Sequence, residues 1–439
     1  MHNLALALQA GGHQVSGSDD AFFDPSKSRL EAAGLLPAAP GWDTDKIHAS
    51  LDAVILGMHA REDNPELARA KELGIPVYSF PEYIRMHSAN KQRIVIAGSH
   101  GKTTITSMVM HVLKGLNKDF DYVVGAQVEG FETMVRLSDA PVIIIEGDEY
   151  LSSALDRRPK FLNYEHHIGV ISGIAWDHAN VFPTLDDYVQ QFELFADATP
   201  KAGTLIYCED DDLTTVICRK ERPDVNRDEY DSHPHKVKNG ETFLKTSEGK
   251  VKVAVFGHHN MQNIAAALAV CKRTGITEAE FYSQIGSFKG AARRLELVAQ
   301  NEETKIYRDY AHSPSKVRAS TKAFAEQYGA GRMVACLELH TFSSLNKNFI
   351  EQYKGAMDSP SSAIVYYNPA VVDAKQLEAI SEEDIRKAFG RKDLMVFTDS
   401  AKLVEHLKSI SWSGKDLLMM SSGNFDGIDA RSLASELIG

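Results

Sequence analysis

The stretch RIVIAGSHGKTTITSM, residues 93–108, decides how the rest of the chain is read. An apolar strand runs into a glycine-bounded turn and then a helix, so the turn's N–H groups and the helix N-terminus face the same point. The partial positive charge of the helix dipole is strongest there, which suits a phosphate. Only Ser99 and His100 separate Gly98 from Gly101. The loop is therefore two residues shorter than the standard G-x-x-x-x-G-K-[ST] form. In this reading Lys102 reaches the β- and γ-phosphates of a nucleotide, and the hydroxyl of Thr103 or Thr104 holds Mg²⁺.

Downstream, PVIIIEGDEY (141–150) ends an apolar strand with Glu146, Asp148 and Glu149, hard oxygen ligands that suit Mg²⁺. The next strand-like run, IGVISGIAWDH (168–178), ends in Asp177-His178, and His178 has the chemistry of a metal ligand or a base. FGHHNMQNIAAALAV (256–270) places His259, Asn260 and Asn263 at a helix start. Capping explains one asparagine; the other suits a base edge. GAARRLE (290–296) offers Arg293 and Arg294, and YRDYAHSP (307–314) offers Asp309 and His312.

At 439 residues the chain is long enough for about three domains. Strand and helix patterns alternate throughout. HQVSGSDD (13–20) reads as a strand closing on Asp19 or Asp20, LDAVILGM (51–58) and IPVYSF (75–80) as strands around the helical NPELARAKELG (64–74). This first segment runs α-β, without the strand and glycine turn that open a doubly wound nucleotide-binding unit. A reading frame extending upstream through such a strand is the expectation. Asn239-Gly240 marks a hairpin. A third α/β run follows from RRLELV (293–298).

A net charge of -12 argues against non-specific nucleic-acid binding, which needs basic patches. The four scattered cysteines suggest neither a zinc knuckle nor a disulfide framework and fit a reducing cytoplasm. No apolar run approaches the roughly 20 residues of a membrane span.

Taken in order, GSHGKTT, EGDEY, DH, GHHNMQN, RRLE and DYAHSP resemble the motifs of the Mur ligase family, the ATP-dependent amide-forming enzymes of peptidoglycan assembly, over nearly the whole chain. The short phosphate loop is similar to the variant found in that family. The resemblance implies an α/β protein of three domains. These are an N-terminal Rossmann-like domain for the UDP-sugar (1–88, its first strand missing), a central P-loop ATPase (89–293), and a C-terminal Rossmann-like domain (294–439) that closes over the site and binds the amine.

Carried over, Gly98, Gly101, Lys102, Thr103 and Thr104 bind ATP phosphates; Thr103, Glu146 and His178 bind metal; Asn260 and Asn263 contact adenine. Arg294 reaches the phosphates, Asp309 holds the ribose, and His312 stands near the γ-phosphate. Lys102, His178 and His312 are the catalytic set, and Asp19 and His340 contact substrates. The implied cofactors are ATP and Mg²⁺, and the implied partners are UDP-N-acetylmuramate and a peptide or amino acid, with no nucleic acid or membrane.

Within the family, EYLSSALDRRPKFLNY (149–164) and MSSGNFDGI (420–428) are similar to the members that attach L-alanyl-γ-D-glutamyl-meso-diaminopimelate, and the alanine-adding members are the alternative. A non-catalytic nucleotide-binding regulator is the alternative of another class. LELHTF (337–342) departs from the pattern, with His340 where arginine is expected, a weaker and pH-dependent partner for a carboxylate. No lysine lies between Lys160 and Lys201, so the carbamylated lysine of some members has no counterpart; Asn180 stands where many place an acid.

Overall fold

The structure is a computed structural model that describes residues 1–179, 181–291 and 294–439. Asn180 and Arg293 lie outside the described residues. The chain groups into two compact units: Met1–Gly98 with Val112–Ser172 and Gln190–Glu229, and Ser99–His111 with Gly173–Val189 and Tyr230–Gly439.

The first unit begins with the helix His2–Ala10 and a parallel pair, β1 (Val54–Leu56) and β2 (Val77–Ser79). Between them lies the helix Pro65–Glu72, whose Asn64 side chain caps the Glu66 and Leu67 N–H groups. The strand expected over HQVSGSDD does not form; residues 13–18 are irregular, and only an isolated bridge pairs Asp19 with Gly41. A strand needs a neighbour for its N–H and C=O groups. Side chains hold this segment instead: Lys46 donates to the Gly17 carbonyl at 3.3 Å, and Ser18 donates to Glu66 at 2.7 Å.

A larger sheet of this unit comprises β3 (Gln92–Ala97), β4 (Asp121–Val123), β5 (Val135–Arg136), β6 (Val142–Glu146), β7 (Ile168–Ile171), β8 (Thr204–Cys208) and β9 (Asn226–Tyr230), in the order β5-β4-β6-β3-β7-β8-β9. Its central pairs β4-β6, β6-β3, β3-β7 and β7-β8 are parallel. These strands are buried almost throughout, as parallel strands covered on both faces must be.

In the second unit β10 (His235–Lys238), β11 (Glu241–Thr246) and β12 (Gly249–Val253) form an antiparallel meander. Its first turn is Asn239-Gly240, with φ of 54° and 72°, the left-handed pair such a turn requires. The other sheet runs β13-β14-β18-β15-β16-β17, from β13 (Glu296–Gln300), β14 (Lys305–Asp309), β15 (Met333–Leu339), β16 (Ser362–Tyr367), β17 (Met395–Phe397) and β18 (Asp416–Met420). All its pairs but β13-β14 are parallel. Alternate residues of one strand serve opposite faces. Ala335 and Leu337 join Val317 and Phe324 of the helix Pro314–Tyr328, whereas Val334 and Cys336 join Leu403, Leu407 and Leu433. The last strand, β18, lies between β14 and β15, so the carboxyl ends of these three strands stand side by side.

No helix among the described residues is long and apolar enough to cross a membrane. The four cysteines are buried, and none forms a disulfide.

Candidate active site

The phosphate loop takes the strand, turn and helix form read from the sequence: β3 ends at Ala97 and the helix Lys102–Gly115 begins at Lys102. Gly98 and Gly101 have φ of 129° and 83°, which side chains disfavour. A Cβ on Gly98 would lie 2.2 Å from Ser172 Oγ, so this close approach admits only glycine. In the second unit the loop is tied to the segment after β7: Ser99 N–H donates to the Gly173 carbonyl at 2.9 Å, and Ala175 N–H donates to Ser99 Oγ at 2.8 Å. Thr103 and Thr104 are buried in the first helical turn. Positive-φ glycines ahead of a fourteen-residue helix, with two threonines in its first turn, fit a phosphate chain and a hard cation.

Glu146, at the end of β6, belongs to the first unit, where it accepts the Gly125 N–H at 2.7 Å. Asp148 pairs with Lys160 at 2.6 Å. The following loop knits itself together: Ser152 N–H donates to the Arg158 carbonyl at 2.9 Å, Arg158 pairs with Asp156 at 2.8 Å, and Asn163 bonds Ser152 at 2.6 Å.

A buried polar cluster occupies the second unit. Asp177 accepts the His178 N–H at 2.8 Å and meets Lys316 Nζ at 3.2 Å. Burial opposes the Asp177 charge, but Lys316, His178 and His312 outweigh it and hold the carboxyl well below the usual range. His178 has a φ of 56°, an uncommon value for a histidine. His312 is buried, and desolvation with the neighbouring Lys316 pushes its pKa down to about 3, so the imidazole is neutral at pH 7. Its Nδ1 lies 2.7 Å from the Tyr310 carbonyl. A carbonyl only accepts, so Nδ1 carries the proton and Nε2 presents a lone pair. Tyr353 donates its hydroxyl hydrogen to the His312 carbonyl.

Beside this cluster the Arg294 guanidinium lies 4.7 Å over the Tyr310 ring. Asp309 is buried; its carboxylate accepts the Leu295 N–H at 3.3 Å and the Ser320 hydroxyl. Asn260 donates to the Phe256 carbonyl at 2.9 Å, and Asn263 donates to Asn260 at 3.3 Å. His259 is pushed down to about 4, chiefly by desolvation, against the pull of Asp309.

At the carboxyl ends of β15 and β18 a second cluster forms around Glu338. This buried carboxylate accepts the Ser421 hydroxyl and the Phe425 N–H, the latter at 2.9 Å. A Cβ on Gly423 would lie 2.8 Å from Glu338 and 3.0 Å from the His340 ring, so the loop after β18 wraps closely over both. His340 Nδ1 stands 3.7 Å from Glu338, with 42% of its side chain exposed.

Three family models match in succession: the Mur ligase family catalytic domain over residues 1–92, the Mur ligase middle domain over 96–271, and the Mur ligase glutamate ligase domain over 293–423. A UDP-N-acetylmuramate–L-alanine ligase of Paenarthrobacter aurescens is 30% identical over 83% of this chain and 80% of its own length. The chain belongs to the Mur ligase family. It is an ATP-dependent, amide-forming ligase of peptidoglycan synthesis. The UDP-N-acetylmuramate–L-alanyl-γ-D-glutamyl-meso-2,6-diaminoheptandioate ligase of Haemophilus influenzae is 26% identical over 99% of this chain and 96% of its own. A murein peptide ligase of Psychrobacter arcticus shares the fold, with a TM-score of 0.66 at 20% identity, over 100% of this chain and 96% of that one.

This Mur ligase keeps Lys102, Thr103, Thr104, His178, Asn260, Asn263, Arg294, Asp309, His312 and His340 in one compact unit, whereas Asp19, Gly98 and Glu146 belong to the other. Asp19 is exposed. Sequence reasoning missed Lys316 and Glu338. Neither belongs to a motif that the sequence offers. The signal for each was its setting: Lys316 follows His312 by four residues, and Glu338 interrupts Met333–Leu339, a strand buried at every position.

Proposed function

We propose that this Mur ligase joins UDP-N-acetylmuramate to the peptide L-alanyl-γ-D-glutamyl-meso-diaminopimelate, the reaction of peptidoglycan recycling, with domains 1–88, 89–293 and 294–439 serving sugar nucleotide, ATP and amine. The observation that carries the choice of amine is the Glu338 cluster. The stretch 420–428, which departs from the alanine-adding members, forms the wall beside His340 at adjacent strand ends, where open α/β sheets bind ligands. The full-length likeness to the Haemophilus influenzae enzyme supports the same reading. Addition of L-alanine is the second reading, favoured by the 30% identity to the Paenarthrobacter enzyme.

In the proposed reaction a carboxylate oxygen of the muramyl group attacks the γ-phosphorus of ATP and ADP leaves. The peptide amine then attacks the acyl carbon, the bond to phosphate breaks, and the amine gives up a proton. Lys102 and Arg294 offset the charge on the transferring phosphoryl group. Asn260 and Asn263 hold adenine, Asp309 the ribose, and Asp19 the sugar nucleotide. Thr103 or Thr104, Glu146 and His178 would hold Mg²⁺, which would supply Lewis-acid charge neutralisation. A γ-phosphate beside His312 adds negative charge to that of Asp177 and favours the protonated imidazole, which can donate from Nε2. His340 faces the peptide.

The test is phosphate release with Mg-ATP and UDP-N-acetylmuramate, comparing L-alanine with the tripeptide and recording product mass. Turnover with the tripeptide alone is the expected result; turnover with alanine alone overturns the choice. Lys102→Ala is expected to lose at least about 100-fold in kcat, the effect of removing one preorganised charge-stabilising group.

A further inference from the structure

The four residues 176–179 are held by the part of the chain that forms the C-terminal layer. The Trp176 ring lies edge-on to Phe349 at 5.3 Å, Asp177 meets Lys316, and Ala179 N–H donates to Ser343 Oγ at 3.2 Å. Trp176 and Ala179 both pack against the core formed by β15, β16 and the helix Pro314–Tyr328. Lys316 stands in the first turn of that helix, two residues beyond its starting proline, and His312 lies just ahead of it. One helix start thus carries His312 and, through Lys316, reaches the segment that carries His178.

We propose that Lys316 is a positioning residue: its ammonium grips the Asp177 carboxylate and so fixes loop 176–179, and with it His178, against the C-terminal layer. Asp177 passes the constraint on, because its other oxygen accepts the His178 N–H and stabilises the left-handed backbone there. The pair is also neutral, so a triphosphate beside it does not meet a bare buried carboxylate. Residues 139 positions apart in sequence thereby link the amine-binding layer to the nucleotide side. The inference rests on the ligase reading for its catalytic consequence, and on geometry alone for its structural one.

The experiment uses the full chain with Lys316→Met, Lys316→Arg, Asp177→Asn and the double variant Asp177→Asn/Lys316→Met. Hydrogen exchange of residues 174–182 is followed by mass spectrometry, beside kcat and KM. In Lys316→Met, exchange of this segment rises by about tenfold or more while β15 stays protected. Its kcat falls about 100-fold with KM for the sugar nucleotide within about twofold, as for a misplaced catalytic group. Lys316→Arg recovers most of both, and the double variant is no worse than Lys316→Met, because Lys316 acts through Asp177. Unchanged exchange in 174–182, or two losses that multiply, overturns the proposal. If Lys316→Met does not fold, exchange in Asp177→Asn decides in the same way. A wild-type chain with no turnover on either amine removes the proposed choice of substrates, and the exchange result still decides whether Lys316 fixes the loop.

Discussion

Lys91 and Asp121 meet at 2.8 Å in the first unit; Lys316 and Asp177 meet at 3.2 Å in the second. Both carboxylates are buried, with side-chain exposures of 0% and 7%, yet their surroundings differ. The Lys91 ammonium donates to Asp121, Ser138 and Ala140, one acceptor for each proton, and Asp121 also accepts the Ser138 N–H and hydroxyl. Asp177 accepts one backbone N–H and faces two histidines besides its lysine. A saturated pair fixes a fold, because no further partner improves it. The Asp177–Lys316 pair instead borders two histidines, so a charge placed beside them acts on it directly.

The sharpest break in this comparison is Lys91→Met. It strands Asp121 in a buried site and is expected to cost about 3–5 kcal/mol, read from the urea midpoint, with activity per folded molecule unchanged. Asp177→Asn should differ in where its effect falls: a kcat loss of about 100-fold beside a stability loss smaller than that of Lys91→Met. Unfolding as severe as that of Lys91→Met would make the two pairs alike. The same variant carries a pH signature. The folded-state pKa of Asp177 lies below the roughly 3.9 of an unfolded chain, so its stabilisation is complete above about pH 4 and is lost as pH falls through the folded value. Asp177→Asn therefore has a shallower acid limb in a stability-versus-pH titration.

Smaller still is Tyr353→Phe, which removes one donor from the His312 carbonyl and should cost about 1–2 kcal/mol by thermal unfolding, with a shift in kcat if the His312 backbone moves. At the bottom of the scale, Arg85→Ala breaks an exposed pair with Glu165 and should change stability by less than about 0.5 kcal/mol. A larger loss there would mean that burial is not what separates these pairs.

The sequence disclosed what local chemistry determines. The apolar run RIVIA became β3, Asn239-Gly240 became the hairpin turn, and the phosphate loop formed as a turn between strand and helix. HQVSGSDD misled because a strand is defined by its neighbour, and its own pattern cannot supply one. The Asp177–Lys316 pair was illegible for a related reason: neither residue has a local signature, and only the folded chain sets them together. The cluster at the ends of β15 and β18 was half legible. His340 stood out as a departure, but Glu338, which organises the loop around it, looked like one charge in a run of apolar residues.

The central place of β18 carries a consequence for synthesis. It follows β14–β17 in the chain, yet it fills the gap between β14 and β15 and supplies the loop that covers Glu338. While the ribosome is still adding residues 416–428, the sheet has two unpaired inner edges and the Glu338 cluster has no wall. The nascent chain thus cannot close this sheet until β18 has emerged, and those bare edges are where a chaperone, or a neighbouring nascent chain, would dock first.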